Sequence, residues 1–185
     1  MAPDRYFPPL LIDNPVRRLL SPPGRLVSKY VEEGEAVADI GCGPGYYTLA
    51  MAEAVGEGGK VYAADPDPRA IEALERKLGD RRGVVEARAA SAADLGFIPD
   101  RSVDFVLANG MICCMTEHSA ALREIRRIMK PSGSAYISVS KMFSRRDPRG
   151  VGREEWEQTL AGFSVLERGD GLATRWAHVA LITLT

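Results

Sequence analysis

Cysteine is scarce in this sequence, and histidine is scarcer still. The 185 residues include three cysteines, Cys42 and the adjacent pair Cys113 and Cys114, and two histidines. An odd number of cysteines without regular spacing argues against a disulfide framework, and the paired spacing of a zinc site is absent. We therefore expect reduced thiols and no bound metal. Small buried side chains are the common role of such cysteines, although the adjacent pair leaves a thiol function open.

Long apolar runs and an excess of one charge are also missing. The longest uncharged run, from Phe105 to Thr116, is much shorter than the roughly 20 apolar residues that cross a bilayer. Residues 1–23 contain acidic side chains and lack the apolar core of a signal peptide. A net charge of -1 provides no overall field that would attract nucleic acid or an anionic membrane. We expect a cytoplasmic protein without a membrane partner, and nucleic acid is not favoured.

The residues that are present fit one α/β domain. We place it at residues 24–185, after an N-terminal arm at residues 1–23, because 45% hydrophobic residues in a chain of 185 is ordinary for a single domain. Short apolar runs alternate with helical stretches, which is typical of βα units and of a parallel sheet with helices on both faces. The predicted strands are Ala36–Ile40, Lys60–Ala64, Val84–Ala89, Val103–Ala108 and Ser134–Ser140, and the predicted helices are Tyr46–Val55, Pro68–Leu78 and Glu117–Met129.

The pattern changes near the carboxyl end. Arg153–Ala161 is predicted as a helix, and Phe163–Glu167 and Trp176–Leu184 as strands with a turn-rich connection between them, which favours an antiparallel hairpin. The predicted fold is therefore doubly wound α/β, with a mostly parallel seven-stranded sheet, helices on both faces and an antiparallel C-terminal hairpin. A short helix that starts at Gly24 is expected to pack over the sheet edge.

A glycine-rich loop follows the first predicted strand. Acidic Asp39 is followed by Gly41, Gly43 and Gly45, and then by Tyr46. Such glycines let the backbone turn tightly and approach a ligand at the carboxyl end of a strand. The dinucleotide fingerprint requires glycine or alanine where Tyr46 stands, and the Gly-Lys-Ser/Thr of a P-loop is absent. The loop therefore predicts a nucleotide-type ligand and disfavours an NAD-dependent oxidoreductase.

The acidic-x-Gly-x-Gly-x-Gly loop resembles the first motif of the class I S-adenosylmethionine (SAM) dependent methyltransferases. In that family an acidic residue at the end of the second strand holds the ribose, and Asp65, followed by Pro66, matches it. The stretches 94–106 and 122–133 resemble later motifs of the family, so the resemblance covers most of the chain from residue 24 to residue 140. It implies a Rossmann-like methyltransferase fold, with SAM as the cofactor and S-adenosylhomocysteine as the product.

The resemblance also implies roles for individual residues. Asp39 would help to hold the methionine ammonium group, and the loop glycines would allow close backbone approach. Many relatives bind adenine through an acidic residue after the third strand, where this sequence has Ser91 and Ala92, so Ser91, the neighbouring backbone or Asp94 would serve instead. The implied cofactor-binding residues are Asp39, Gly41, Cys42, Gly43, Gly45, Tyr46, Asp65, Pro66, Ser91, Ala92 and Asn109.

The segment after the fourth strand is the candidate for acceptor contact. Asn109 and His118 are the catalytic candidates, and His118 has the alternative of a solvated surface position near a helix start. The segment lacks the Asn-Pro-Pro-aromatic motif of methyltransferases that act on nucleic-acid bases or protein glutamine. Two other groups are candidates for the pocket walls, and these are Arg145, Arg146 and Arg149 for an anionic acceptor, and Tyr6 and Phe7 for closing over the pocket.

Three functions follow from these features. The leading hypothesis is a methyltransferase that acts on a small molecule, because no inserted recognition domain is visible. The alternatives are a methyltransferase that acts on RNA or protein, and a catalytically inactive SAM-binding subunit. A homodimer could complete the pocket if one subunit leaves it open.

Overall fold

The strands of the protein form one mixed sheet. The computed structural model describes residues 8, 13–141, 147, 149–169 and 177–185. The strands are β1 (Ala36–Ile40), β2 (Lys60–Asp65), β3 (Val85–Ala89), β4 (Val103–Asn109), β5 (Met129–Ser140), β6 (Phe163–Arg168) and β7 (Ala177–Leu184). Within the described residues they form a seven-stranded sheet in the order β3-β2-β1-β4-β5-β7-β6. Strands β1 to β5 are parallel, and β7 is antiparallel to both β5 and β6, so the predicted fold class is confirmed.

In the described part of the chain, two helices precede β1, and the other helices lie between strands. They are α1 (Pro15–Leu20), α2 (Gly24–Tyr30), α3 (Thr48–Val55), α4 (Pro68–Lys77), α5 (His118–Ile128) and α6 (Arg153–Leu160), and short 3₁₀ helices lie at Gly79–Gly83 and Ile112–Cys114. Helix α4 begins where the side chain of Asp67 accepts the backbone N–H of Arg69 and where Pro68 needs no N–H partner. Helix α1 lies within the region that the sequence predicts as an arm. No helix among the described residues is long and apolar enough to span a bilayer.

Apolar side chains fill both faces of the sheet. On one face, Ile125 of α5 and Trp156 of α6 pack with the inward residues of β4 and β5. On the other face, Val27 of α2, Met51 of α3 and Leu74 of α4 pack against β1 and β2. Full burial of one such side chain contributes roughly 1.5–3 kcal/mol. The sheet is therefore held rigidly between two helical layers, and the loops at the carboxyl ends of its strands are free to form a site.

Three details differ from the sequence predictions. Helix α2 packs on the face of the sheet and not over its edge, because the ring of Tyr30 stacks on Phe105 of the central strand β4 with a centroid distance of 5.6 Å. Helix α3 begins at Thr48, two residues later than predicted, because the glycine loop continues through Tyr47. Strand β5 begins at Met129, where the helix was predicted to end. The predicted strand start at Trp176 lies outside the described residues.

Candidate cofactor and acceptor site

The glycine loop after β1 is folded tightly against its neighbours. The backbone N–H groups of Gly41 and Cys42 both donate to the carbonyl of Ala64, at 2.8 and 3.0 Å. Gly41 has a φ of +78°, and a Cβ at this position would lie 2.5 Å from the Cβ of Met111. A side chain would be strained there on both counts. The sequence therefore needs glycine at this position to bring the loop over the carboxyl ends of β1 and β2.

Asp39 is a buried carboxylate at the start of the loop. It is 3% exposed, and its Oδ2 accepts the hydroxyl of Thr48 at 2.6 Å. The pKa of Asp39 is raised to about 7, mainly by burial; the negative charge of Asp65 contributes to the rise, and the hydrogen bond from Thr48 opposes it. A carboxylate that is held out of water without a cation is stabilised when a cation binds beside it. The methionine ammonium group of SAM is a group of this kind, so Asp39 fits the role that the resemblance implies.

Asp65 lies at the carboxyl end of β2 with both oxygens partly occupied. Oδ2 accepts the backbone N–H of Gly43 and Oδ1 accepts that of Asp67, each at 2.9 Å. Burial raises the pKa of this carboxyl, and the two backbone hydrogen bonds oppose the shift. An ionised carboxylate offers about four lone-pair positions, so each oxygen can still accept one hydroxyl. Two adjacent hydroxyls of a ribose match this arrangement.

The turn after β3 offers a small, mostly apolar surface. The hydroxyl of Ser91 accepts the backbone N–H of Ala93 at 3.2 Å, and Ala92 is buried. Asp94 is exposed, and its side chain accepts the backbone N–H of Gly96. This turn follows β3, the neighbour of β2, so Ser91 and Ala92 lie next to the end of the strand that carries Asp65.

Three further loop residues predicted for the cofactor have distinct surroundings. Cys42 is buried with its Sγ 3.5 Å from the carbonyl oxygen of Gly43, and burial raises the pKa of its thiol. Such a thiol is unreactive, which suits a packing role. Pro66 is exposed beside Asp65. Gly45 has a φ of +87° and continues the turn of the loop.

Tyr46 connects the loop to helix α1. Its ring is 2% exposed, and its hydroxyl donates to the carbonyl of Ser21 and lies 3.4 Å from that of Arg17. The guanidinium of Arg17 stacks over the ring at 4.0 Å from its centroid. The side chain of Tyr46 therefore contacts the N-terminal segment, and its backbone remains in the loop.

A cavity of about 570 Å³ lies beside this loop. Its walls come from α1 and α2 on one side and from β4, β5, β6 and β7 on the other, including Tyr30, Tyr136, Leu26, Val179 and Leu181. Tyr47 and Asn109 line it as well. Tyr47 precedes Thr48, whose hydroxyl bonds to Asp39, so the cavity adjoins the candidate cofactor site.

Asn109 connects three elements at this junction. It is the last residue of β4, and its Oδ1 accepts the hydroxyl of Ser138 on β5 at 2.7 Å. Its Nδ2 lies 3.5 Å from the hydroxyl of Tyr47. Asn109 therefore bridges the sheet and the glycine loop at the wall of the cavity.

His118 lies at the start of α5 and outside the lining of this cavity. It is 8% exposed, with Nδ1 2.6 Å from Glu155 and Nε2 2.7 Å from the carbonyl of Met115. Its ring therefore connects α5 to α6, which differs from the solvated surface position considered above. Both nitrogens are occupied by protein partners, so neither points at an acceptor.

Some of the remaining candidate pocket residues are described by the structure, and others are not. The sulfurs of Cys113 and Cys114 each lie 3.4 Å from the carbonyl of Gly110. Arg149 forms an ion pair with Asp147 at 2.8 Å. Four predicted pocket residues lie outside the described part of the chain, and these are Tyr6, Phe7, Arg145 and Arg146.

Sequence analysis missed the aromatic and hydroxyl residues of the cavity, Tyr30, Tyr47, Tyr136 and Ser138. Tyr47 could have been found, since it directly follows the glycine loop. Ser138 could also have been found, since it is paired in register with Asn109 at the carboxyl ends of adjacent strands. Tyr30 and Tyr136 carried no such signal because their position depends on how α2 packs over the sheet.

Comparison with known proteins assigns the family. Residues 38–137 match the family model described as "Methyltransferase domain". A SAM-dependent methyltransferase from Aquifex aeolicus superposes with a TM-score of 0.81 at 25% identity, over 97% of this chain and 100% of that one. A TehB-like SAM-dependent methyltransferase from Corynebacterium glutamicum superposes with a TM-score of 0.70 at 18% identity, over 88% and 87%.

Two curated relatives match part of the chain. A demethylmenaquinone methyltransferase from Geobacillus stearothermophilus is 34% identical over 105 residues, 56% of this chain and 44% of the relative. A cypemycin N-terminal methyltransferase from a Streptomyces species is 34% identical over 131 residues, 68% of this chain and 51% of the relative. The chain thus spans about half the length of the curated relatives that it matches. With the family model and the fold in agreement, the chain belongs to the class I SAM-dependent methyltransferase family.

Proposed function

We propose that this protein transfers a methyl group from SAM to a small-molecule acceptor bound in the cavity beside the glycine loop. The observation that carries the proposal is the adjacency of the two sites. Tyr47 lines the cavity, and the next residue in the chain, Thr48, bonds to Asp39. An acceptor in the cavity and a cofactor on the loop would therefore face each other across Tyr47 and Asn109.

The residues present fit SAM as the cofactor. Asp39 would hold the ammonium group and Asp65 the ribose hydroxyls, with backbone approach at Gly41 and Gly43. Ser91 and Ala92 would border the adenine, and Cys42, Gly45, Tyr46 and Pro66 would shape the loop around the ligand. When bound, SAM supplies an electrophilic methyl group and becomes S-adenosylhomocysteine.

The chain's own contribution is to align the acceptor and to exclude water. Transfer of this kind is an in-line displacement, so the rate depends mainly on how well the two reacting atoms are held. Tyr30, Tyr136 and Leu26 would pack against the acceptor and remove water from it. Asn109, held by Ser138, would fix the end of the cavity nearest the loop. We propose that His118 has a structural role, since both of its nitrogens bind protein partners.

The cavity favours a small acceptor over a macromolecule. Its volume of about 570 Å³ falls in the range of roughly 300–1,000 Å³ that is usual for small-ligand sites. One curated relative is named for demethylmenaquinone, which is consistent with a small acceptor. The other is named for the N-terminus of cypemycin, so a peptide acceptor is the second candidate.

Calorimetric titration with SAM, S-adenosylhomocysteine and NAD tests the cofactor. We expect micromolar binding of the first two and none of NAD. Asp65→Ala should weaken SAM binding by more than about tenfold, because two charge-assisted hydrogen bonds are lost. The matched control is Asp80→Ala, since Asp80 is an exposed acidic residue on the 3₁₀ helix Gly79–Gly83.

Four results would count against parts of the proposal. An unchanged affinity of folded Asp65→Ala for SAM would show that Asp65 does not bind the ribose. Binding of NAD without binding of SAM would contradict the proposed methyltransferase activity. Tight SAM binding with no turnover over a broad acceptor panel would favour the inactive subunit. Strong, salt-dependent retention on RNA would favour a macromolecular acceptor. The homodimer remains a prediction, which light scattering on the purified protein can check.

A further inference from the structure

Among the described residues, three tyrosines line the acceptor cavity, and their hydroxyls have different hydrogen-bond partners. The hydroxyl of Tyr30 is 2.8 Å from Lys29 Nζ and 3.4 Å from Glu167 Oε2, so it is fully engaged. The hydroxyl of Tyr47 accepts from Asn109, and its own hydrogen has no acceptor in the described part of the chain. Within the same residues, the hydroxyl of Tyr136 has no hydrogen-bond partner. Tyr47 and Tyr136 thus each have a donor available to a molecule in the cavity.

These two hydroxyls remain protonated at neutral pH. Burial raises the pKa of Tyr47 to about 12, and burial also raises the pKa of Tyr136. A phenol whose pKa is raised stays neutral at this pH, so its O–H remains available to donate a hydrogen bond. The two tyrosines therefore offer hydrogen-bond donors to the atom that would receive the methyl group. They do not offer a general base at these positions.

The charges on the cavity lining are mainly positive. Among the described residues, Arg25, Lys29 and Arg168 line it, and Glu167 is the one acidic residue that does so. Lys29 pairs with Glu167 at 2.9 Å, and Arg168 pairs with Glu157, which lies outside the lining, at 2.8 Å. Arg25 has no ion-pair partner in the part of the chain that the structure describes. With these pairs formed, Arg25 is the described cation of the lining that remains uncompensated. Although it is exposed and partly screened, its charge opposes a cationic acceptor such as an ammonium group and favours an anion.

We infer that the acceptor is an acidic hydroxyl compound, a phenol or an enol, which binds as its oxyanion, and that Tyr47 donates a hydrogen bond to the oxygen that receives the methyl group. Tyr136 donates to the same molecule, and Arg25 increases the local preference for the deprotonated form. The inference rests on the proposed function and names the substrate class for the same cavity.

The chemistry balances without a base from the protein. The hydroxyl loses its proton to solvent when the compound binds as its anion. One oxygen lone pair then forms the bond to the methyl carbon while the carbon–sulfur bond breaks, and the electrons of that bond stay on sulfur. The hydrogen bond from Tyr47 occupies a second lone pair and so orients the first. The product is a neutral ether, which no longer attracts the positive lining and can leave.

A pair of isosteric probes tests the inference by binding. The protein is first loaded with S-adenosylhomocysteine, and 4-nitrophenolate or 4-nitroaniline is then titrated in while the visible absorption band of the probe is followed. We expect the phenolate to bind at least about tenfold more tightly than the aniline, since a hydrogen bond to a charged group is worth about 1.5–3 kcal/mol. The pKa of the bound 4-nitrophenol should also fall below its value in water.

The variant Tyr47→Phe tests whether the preference for the phenolate comes from the hydroxyl of Tyr47. This variant should weaken 4-nitrophenolate binding by about tenfold and raise the pKa of the bound phenol, and it should leave the affinities for 4-nitroaniline and S-adenosylhomocysteine unchanged. Tyr62→Phe is the matched control, since Tyr62 lies on β2 outside the cavity and packs edge-on against Phe97. It should change none of these values.

The outcomes separate this inference from the proposed function. If S-adenosylhomocysteine does not bind, the proposed function itself fails. If it binds but the phenolate binds no better than the aniline, or does not bind at all, the methyltransferase stands and the oxyanion acceptor is overturned. If Tyr47→Phe behaves like Tyr62→Phe, Tyr47 does not contact the acceptor oxygen.

Discussion

At the scale of single residues, Asp39 shows a conflict between stability and function. The side chain is almost fully buried, and burial raises its pKa to about 7, so its ionisation is less favourable than in water. An apolar or amide side chain would be accommodated there more easily. A carboxylate is retained at such a position when a ligand cation compensates for its burial. The cost of the buried charge thus indicates a binding role for Asp39.

The raised pKa of Asp39 predicts opposite pH trends for stability and for cofactor binding. Between about pH 4 and pH 7 the folded protein holds a proton on Asp39 that the unfolded chain has released, so this residue makes stability fall as pH rises through that window, by at most about 4 kcal/mol. Binding of an ammonium group requires the carboxylate form. The affinity for S-adenosylhomocysteine should therefore fall as pH decreases below about 7, as calorimetry can measure.

Asp39→Asn separates the two trends. The amide oxygen can still accept the hydroxyl of Thr48, so the variant should unfold at a higher temperature than the unchanged protein at pH 8, with the difference shrinking towards pH 5. Its affinity for S-adenosylhomocysteine should be lower and nearly independent of pH over this range. A variant that is less stable at pH 8 would show that the buried charge of Asp39 does not destabilise the folded protein.

At the scale of elements, the sequence predicted regular structure better than the connections around the site. The βα alternation located β1 to β5 because strands buried on both faces appear as short apolar runs. The antiparallel pairing of β6 with β7 was predicted from the hairpin pattern, whereas the position of β7 between β5 and β6 was not. The start of α3 could not be predicted from Tyr46, because the side chain is buried under α1 by a contact distant in the sequence. The acceptor cavity was not predictable for the same reason, since it forms only where α2 crosses β4 and β5.

The contact between Tyr46 and α1 predicts a local effect. Tyr46→Phe keeps the ring beneath Arg17 but removes the hydrogen bond to the carbonyl of Ser21, which is worth about 1 kcal/mol. Amide hydrogen exchange in Leu19–Ser21 should accelerate by about fivefold, since this segment would open more often. Amides in α5, which lies on the other face of the sheet, serve as the internal control. Equal exchange rates in both proteins would show that Tyr46 does not hold α1.

At the scale of the whole molecule, the proposed cofactor and acceptor sites lie over different halves of the sheet. The candidate cofactor residues follow β1, β2 and β3, and the acceptor cavity lies over β4, β5, β6 and β7. The division falls between β1 and β4, where the strand order reverses and open α/β sheets bind their ligands. Asn109 and Tyr47 are the described residues through which the halves meet at the cavity wall.

This division predicts two separate footprints in hydrogen exchange. S-adenosylhomocysteine should protect amides in residues 39–48, 65–67 and 91–93, and subsequent addition of 4-nitrophenolate should protect residues 20–30, 136–138 and 177–181. Protection by both ligands is expected near Tyr47 and Asn109, which are described residues at the border of the two proposed sites. If 4-nitrophenolate instead protected the loops after β2 and β3, it would be binding in the cofactor half, and the assignment of the cavity to the acceptor would be wrong.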